Sequence, residues 1–304
     1  MKQFKVLLVG MLCLVVFCFW GCSSREEINS WNVEDYKKLK DIVSIENVED
    51  EITEIQTYKI KYKSDDCKVV SYLSVPEAVL EKKEVYPCIL FARGGNRDYG
   101  AMTPKRIAGL ARNFDTIVFS TQYRGVDGGT GTEEFGGADV NDVIKLIDLC
   151  EIFTFVDMEH LYLIGASRGG MMAYQVIRQD ERIKKAVIVS GMADAFMCYE
   201  ERPDMRKIFR ELVGDSPQNI PEEYEKRSAT YWADEIQCPV LIIHTKQDAR
   251  VSYAQAEKMA ECLENAGKEY EFLSFDNDIH GLHPDYFPII SEWLQYVEKI
   301  KLTP

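Results

Sequence analysis

Ser167 lies in Leu161-Tyr162-Leu163-Ile164-Gly165-Ala166-Ser167-Arg168-Gly169-Gly170, an apolar run followed by G-x-S-x-G-G and then an apolar helical pattern from Met171. A hydroxyl nucleophile on a sharp strand-to-helix turn needs small neighbours, because other backbone must pass close to it. The same turn aims the N–H of Arg168 and the positive end of a helix at the point where an attacked carbonyl would turn into an oxyanion. That chemistry is acyl transfer to serine and then to water, and it requires a base and an orienting carboxylate. The chain has four histidines. His160 precedes the nucleophile's strand at the wrong end, and His244 closes an apolar run and reads as structural. His280 lies in the loop Asp276-Asn277-Asp278-Ile279-His280-Gly281, with His283 close behind as its rival. Asp248 follows the run Val240–Ile243 and is the candidate acid. Asp278 is too close to His280 along the chain to hold its ring from behind and reads as a turn residue.

These groups are distant in sequence, so regular elements must bring them together. Tyr58, Ile60 and Tyr62 alternate with Lys59, Lys61 and Lys63, and Ser64-Asp65-Asp66 turns the chain into Val69–Val75, which predicts a half-exposed hairpin. Six compact apolar runs follow, of the kind buried on both faces of a parallel sheet: Cys88–Ala92, Thr116–Ser120, Leu161–Ile164, Ala186–Val189, Val240–Ile243 and Tyr270–Phe275. Helical spacing fills the gaps. Val140, Val143, Ile144 and Ile147 share one face; Ala256, Met259, Ala260 and Leu263 share another, stopped at Gly267; Ile290, Trp293, Leu294 and Val297 mark the last helix. The alternation predicts an α/β fold with a mostly parallel central sheet, helices on both faces and an antiparallel N-terminal hairpin. Ligands of such sheets bind at the carboxyl ends of the strands, where Ser167, Asp248 and His280 all fall. Residues 191–237 interrupt the rhythm with one apolar stripe, Met205, Ile208, Phe209, Leu212 and Val213, and are read as an excursion that either caps the site or packs on the core.

Composition narrows the function from the other side. The 304 residues carry 36 Lys+Arg against 50 Asp+Glu, a formal net charge of −14, with 46% hydrophobic residues. An acidic chain without a basic cluster is a poor polyanion binder, so nucleic acid is not an expected partner. Gly128-Gly129-Thr130-Gly131 lacks the spacing of a dinucleotide fingerprint, and His280-Gly281-Leu282-His283 has no third ligand in view, so no cofactor or metal is expected. At the amino end Lys2 and Lys5 precede an apolar run from Val6 to Trp20, and Gly21-Cys22-Ser23-Ser24 closes it. This resembles the signal peptide and lipobox of bacterial lipoproteins, although Phe19 and Trp20 are bulky for it. The resemblance implies cleavage after residue 21, lipid on Cys22 and anchoring in the cell envelope, as a periplasmic or outer-membrane lipoprotein. The polar, acid-rich residues 22–54 read as a tether holding at most one short helix, and 55–304 as the α/β-hydrolase domain. Cys67, Cys88, Cys150, Cys198, Cys238 and Cys262 show no short-loop pairing pattern and read mostly as free thiols.

From about Lys59 to Leu294 the chain resembles the catalytic domain of the prolyl oligopeptidase family of serine hydrolases, within the α/β-hydrolase superfamily. Besides the Ser167 turn, the resemblance rests on Tyr123-Arg124-Gly125, on the run from Glu134 to Val143 with Gly136-Gly137-Ala138-Asp139 at its centre, on Arg227-Ser228-Ala229, on Cys238 to His244, and on His280-Gly281. It implies Ser167 as nucleophile, Asp248 as acid and His280, ahead of His283, as base, in the order Ser…Asp…His. Three positions depart from the family. Thr245 and Ile279 stand where glycine is usual, and Arg93-Gly94-Gly95-Asn96 replaces a Tyr or His before paired glycines. With Arg168 N–H as one oxyanion donor, the second is then the N–H of Gly94 or Gly95, or Arg93 itself.

The resemblance implies a peptidase acting on small peptides. A carbohydrate or small-acyl esterase suits a domain of this size equally, with Phe196, Met197, Tyr199, Tyr231 and Trp232 as candidate pocket residues. The reading from another class is a non-catalytic binding lipoprotein on the same scaffold, with Arg93 recognising an anion.

Overall fold

Side chains along a strand alternate between faces, so a strand buried on both sides reads as an unbroken apolar run. In the computed structural model, which describes residues 28–49 and 51–294, Leu161 and Leu163 enter the core on one face of the sheet while Tyr162 and Ile164 enter the core on the other. Val240 and Ile242 against Leu241 and Ile243 repeat the division. Among the described residues the strands are β1 Ile42–Asn47, β2 Ile55–Ser64, β3 Cys67–Pro76, β4 Tyr86–Ala92, β5 Ile117–Thr121, β6 Val156–Ala166, β7 Lys185–Val189, β8 Val240–Thr245 and β9 Tyr270–Phe275. They form one sheet in the order β1-β2-β3-β5-β4-β6-β7-β8-β9. The pairs from β1 to β5 are antiparallel, and those from β5 through β4 to β9 are parallel.

The helices are α1 Glu77–Lys82, α2 Pro104–Phe114, α3 Val140–Cys150, α4 Arg168–Gln179, α5 Ala195–Glu201, α6 Arg206–Leu212, α7 Pro221–Lys226, α8 Tyr253–Asn265 and α9 Phe287–Leu294. Helices α3, α4 and α8 pack on one face of the sheet, α2 and α9 on the other. The chain leaves β4 for β5 on one side and returns to β6 on the other. Loops from those two strands therefore diverge and leave a crevice at their carboxyl ends, the switch point at which open α/β sheets bind ligands. Gly94 follows β4 and Ser167 follows β6.

Several expectations need correction. The segment 22–54 is not simply a tether: Val33 and Tyr36, in a 3-10 turn, and Ile42 and Ile45, in β1, are buried, and β1 pairs with β2. A register shift between Ile42 and Ser44 breaks the alternation that would have marked this strand in sequence. Tyr270–Phe275 is the outer strand of the sheet and only half-buried. The stripe from Met205 to Val213 is divided between a 3-10 turn, Pro203–Met205, and α6. The apolar run from Val6, Cys22 and Val297 lie outside the described residues.

Candidate active site

Ser167 stands at the N-cap position of α4, where serine commonly accepts a backbone N–H. Here it makes no capping bond, and its backbone is left-handed, φ +57° and ψ −124°. Such a conformation costs a non-glycine residue about 1–3 kcal/mol and persists only where the surroundings hold it. Three hydrogen bonds do so: Ser167 N–H to the Val189 carbonyl (3.0 Å), and Gly170 and Met192 N–H to the Ser167 carbonyl (2.9 and 3.1 Å). The hydroxyl is left to face the cleft. The flanking glycines are demanded by close approach. A Cβ on Gly169 would lie 1.9 Å from the carbonyl oxygen of Ala92, and one on Gly94 would lie 3.0 Å from both the Ala166 oxygen and Ser167 Cβ.

Asp248 lies in the turn after β8 and His280 in the loop after β9. His280 Nδ1 is 2.8 and 3.0 Å from the two carboxylate oxygens of Asp248. The carboxylate also accepts the N–H groups of Arg250 (2.8 Å) and Val251 (3.1 Å). Burial pushes the Asp248 pKa up, but the bond from His280 and those backbone donors outweigh it and hold the group below its ordinary value. His280 and Ser167 line the same cleft, of about 470 Å³, and are not hydrogen-bonded to each other in this structure. In unliganded enzymes the link from nucleophile to base is commonly long and tightens once substrate is bound.

The other histidines are otherwise engaged. His244 is fully buried and its Nε2 lies 2.9 Å from the Val251 carbonyl, which can only accept, so Nε2 carries the proton and Nδ1 is bare. Burial lowers its pKa. It braces the Asp248 turn. His283 Nδ1 accepts the Asp285 N–H and caps a 3-10 turn, and His160 lies 2.7 Å from Asp157 at the amino-terminal half of β6.

The residues expected to supply the oxyanion donors differ most from expectation. Gly94, Gly95 and Arg168 all line the cleft. Arg168 N–H, at the first helical position, has no acceptor within its own helix. The side chain of Arg93, a candidate donor in sequence, is fully buried and turned away. It donates to the carbonyls of Gln122, Gly94, Tyr99 and Arg97. Carbonyls satisfy a buried guanidinium more cheaply than empty space would, so Arg93 is consumed in shaping the loop after β4. The Arg168 side chain is buried as well, paired with Asp139 and with Glu133 (2.8 Å), and it donates to the Gly95 carbonyl (3.1 Å). Burial pulls the Arg168 pKa down, while Asp139 and Glu133 more than compensate and raise it. Glu133 accepts the Arg97 N–H with both oxygens (3.0 and 3.2 Å). Tyr123 Oη donates to the Arg93 carbonyl at 3.0 Å, and both guanidiniums lie over its ring at 5.0 and 4.7 Å.

Sequence patterns mark these residues but not their work. Tyr123-Arg124 and the acids at 139 and 142 form a buried latch: Arg124 holds Asp142 at 2.8 Å, while Arg168 holds Asp139. Thr245 and Ile279, the two departures from glycine, meet each other, with the Thr245 hydroxyl donating to the Ile279 carbonyl at 2.8 Å. Gly281 N–H donates to Ser190 Oγ at 3.1 Å, so the His280 loop is tied on both sides. The excursion supplies Met192, Cys198, Arg202 and Met205 to the lining of the cleft, to which Phe91 and Phe135 also contribute. Phe196, Met197, Tyr199, Tyr231 and Trp232 do not line it. Phe196 stacks on Tyr231 and leans on Tyr224, Trp232 carries Arg178, and Tyr199 packs on Phe209.

A serine on a strained strand-to-helix turn, at the switch point of a sheet of this order, defines a serine hydrolase of the α/β-hydrolase class. The chain belongs to the prolyl oligopeptidase family, which it matches over residues 107–294. It is 31% identical over 235 residues to the uncharacterized peptidase YtmA of Bacillus subtilis, covering 77% of this chain and 88% of that protein. Among solved structures it is similar to a puromycin-hydrolyzing peptidase of Mycobacterium tuberculosis, with TM-score 0.68 and 24% identity over 83% of this chain and 40% of that one. The acetyl xylan esterase of Paenibacillus sp. R4 shares the fold at TM-score 0.66 and 16% identity, over 83% of this chain and 87% of that one. The chain thus spans most of YtmA and less than half of the mycobacterial peptidase.

Proposed function

We propose that this serine hydrolase cleaves short peptides, with Ser167 as nucleophile, His280 as general base and acid, and Asp248 holding the imidazole. In this reading His280 Nε2 takes the Ser167 proton as Oγ attacks the carbonyl carbon. The oxyanion is met by the N–H of Arg168 and the N–H of Gly94 or Gly95. Collapse returns the proton to the leaving amine, and water then releases the acyl group by the same route. The observation that carries it is the 2.8 Å contact between His280 and Asp248, at the rim that Ser167 faces. The test is active-site labelling with a fluorophosphonate, which should mark the wild type, fail on Ser167→Ala and weaken on His280→Ala. Labelling that survives Ser167→Ala would end the proposal.

Esterase chemistry is the second reading, favoured by the likeness to an acetyl xylan esterase of comparable length. Turnover of nitrophenyl acetate without cleavage of any short peptide would select it. A binding protein without catalysis would show neither labelling nor turnover. The amino-terminal pattern supports a further part of the proposal, that Cys22 carries the lipid that anchors the chain in the cell envelope. Metabolic labelling with an alkyne fatty acid should tag the wild type and not Cys22→Ala, and absence of label on the wild type would refute it.

A further inference from the structure

The protein is acidic overall, yet its cleft is not. The residues that line it include Arg106, Arg168, Arg202, Arg250 and His280, and not one aspartate or glutamate. In a chain with 50 acids against 36 Lys+Arg, that is a concentration of positive charge where substrate must bind.

The four arginines are not equivalent. Arg168 is spent on Glu133 and Asp139, and Arg202 on Asp204 at 2.6 Å. Arg106 and Arg250 have no carboxylate within 4 Å among the described residues. Both are exposed, and they come from different elements: Arg106 from the first turn of α2, Arg250 from the turn that carries Asp248. Each is braced through a single nitrogen against the loop after β4. Arg106 Nη1 donates to the carbonyls of Gly100 (3.3 Å) and Ala101 (3.0 Å), and Arg250 Nη1 donates to Tyr99 Oη (2.7 Å). Their Nε and Nη2 donors make no hydrogen bond with described residues. The Arg250 backbone is fixed as well, since its carbonyl accepts Arg202 Nη1 at 2.6 Å. Two guanidiniums that line one cleft, keep free donors and are unpaired by acids suit a carboxylate, and low-dielectric cleft walls focus their field.

We infer that Arg106 and Arg250 select substrates bearing a carboxylate close to the scissile bond, either an acidic side chain or the free carboxyl end of a short peptide. The inference rests on the proposed hydrolysis at Ser167 and adds the substrate class to it. The test compares three matched short peptides at low ionic strength: an amidated peptide with Gln beside the scissile bond, the same peptide with Glu there, and the Gln peptide with a free carboxyl end. A charge-assisted contact predicts that at least one carboxylate peptide exceeds the neutral one in kcat/KM by about tenfold. Whichever does identifies the source of the charge. The advantage should shrink as salt rises and should vanish in Arg106→Gln/Arg250→Gln, while Arg112→Gln, an arginine outside the cleft, should retain it. If Ser167 is labelled by fluorophosphonate but neither carboxylate peptide outruns the neutral one, the inference fails and the hydrolase reading stands. The inference also fails if the advantage persists in the double variant. If Ser167 is never labelled, the hydrolase reading fails and takes the inference with it.

Discussion

Ser167 and Asp248 are each held against a local preference. The serine gives up the capping bond its position offers and sits in a left-handed conformation. The aspartate ionises although it is buried, because His280 and two backbone N–H groups supply what water would have supplied. The second arrangement has a pH signature. The folded pKa of Asp248 lies below its unfolded value, so its stabilising contribution is complete above the ordinary carboxylate range and is lost as pH falls through the folded value. The denaturation midpoint of the wild type should therefore fall below about pH 4, and Asp248→Asn should flatten that fall while weakening the protein at neutral pH. Urea titrations across pH on both proteins read this directly. An unchanged slope would mean that the carboxylate does not ionise as the geometry requires. Thr245 shows how a residue that departs from its family can still be accounted for, since the hydroxyl it brings is used by the carbonyl of the other departing residue, Ile279.

At the scale of elements, the loop after β4 and the start of α4 are bound together by buried charge. Glu133 receives Arg168 Nη1 and the Arg97 N–H, and lies 3.7 Å from Arg93. Arg168 and Arg93 in turn fix the carbonyls of Gly95 and Gly94. Glu133 is buried and does not line the cleft, so in the proposed mechanism it is a positioning residue for the N–H groups of Gly94, Gly95 and Arg168. Glu133→Gln should destabilise the fold by about 1.5–3 kcal/mol, since it removes charge from hydrogen bonds to buried guanidiniums. If those N–H groups meet the oxyanion as proposed, it should also lower kcat more than it raises KM, because they would act on the transition state. A change in stability with kcat untouched would assign Glu133 to packing alone. The excursion between residues 191 and 237 is likewise tied down. Arg227 holds the carbonyls of Phe135 and Glu134, Arg97 pairs with Glu211, and Phe209 packs on Phe135. It packs on the core and also supplies residues to the lining of the cleft.

For the whole molecule, the sheet begins earlier than its sequence pattern shows. Val33, Tyr36, Ile42 and Ile45 are buried against the antiparallel end, and β1 covers what would otherwise be the open edge of β2. Deleting residues 28–47 should cost at least about 4 kcal/mol in lost apolar burial and leave an exposed edge prone to self-association, measurable as a lower melting temperature and a shifted elution volume. A deletion with the melting temperature of the full chain would show that β1 is dispensable. The parallel strands, the faces of α3 and α8, the serine turn and the Asp248–His280 pair were legible because each is written in local periodicity or in residue types with few chemical uses. β1 was hidden by a bulge, and the pocket walls by the fact that aromatic residues at helical spacing look alike whether they line a cleft or fill a core.

The amino-acid sequence by itself determined the class of fold and marked Ser167, Asp248 and His280 as the proposed catalytic set, since short-range patterning and scarce reactive side chains are properties of the chain alone. Only the tertiary structure decided which way the arginines point: Arg93 and Arg168 inward to carbonyls and acids, Arg106 and Arg250 outward to the cleft. A guanidinium carries the same charge in every position, and its role depends on which acceptors the fold brings within about 3 Å of it.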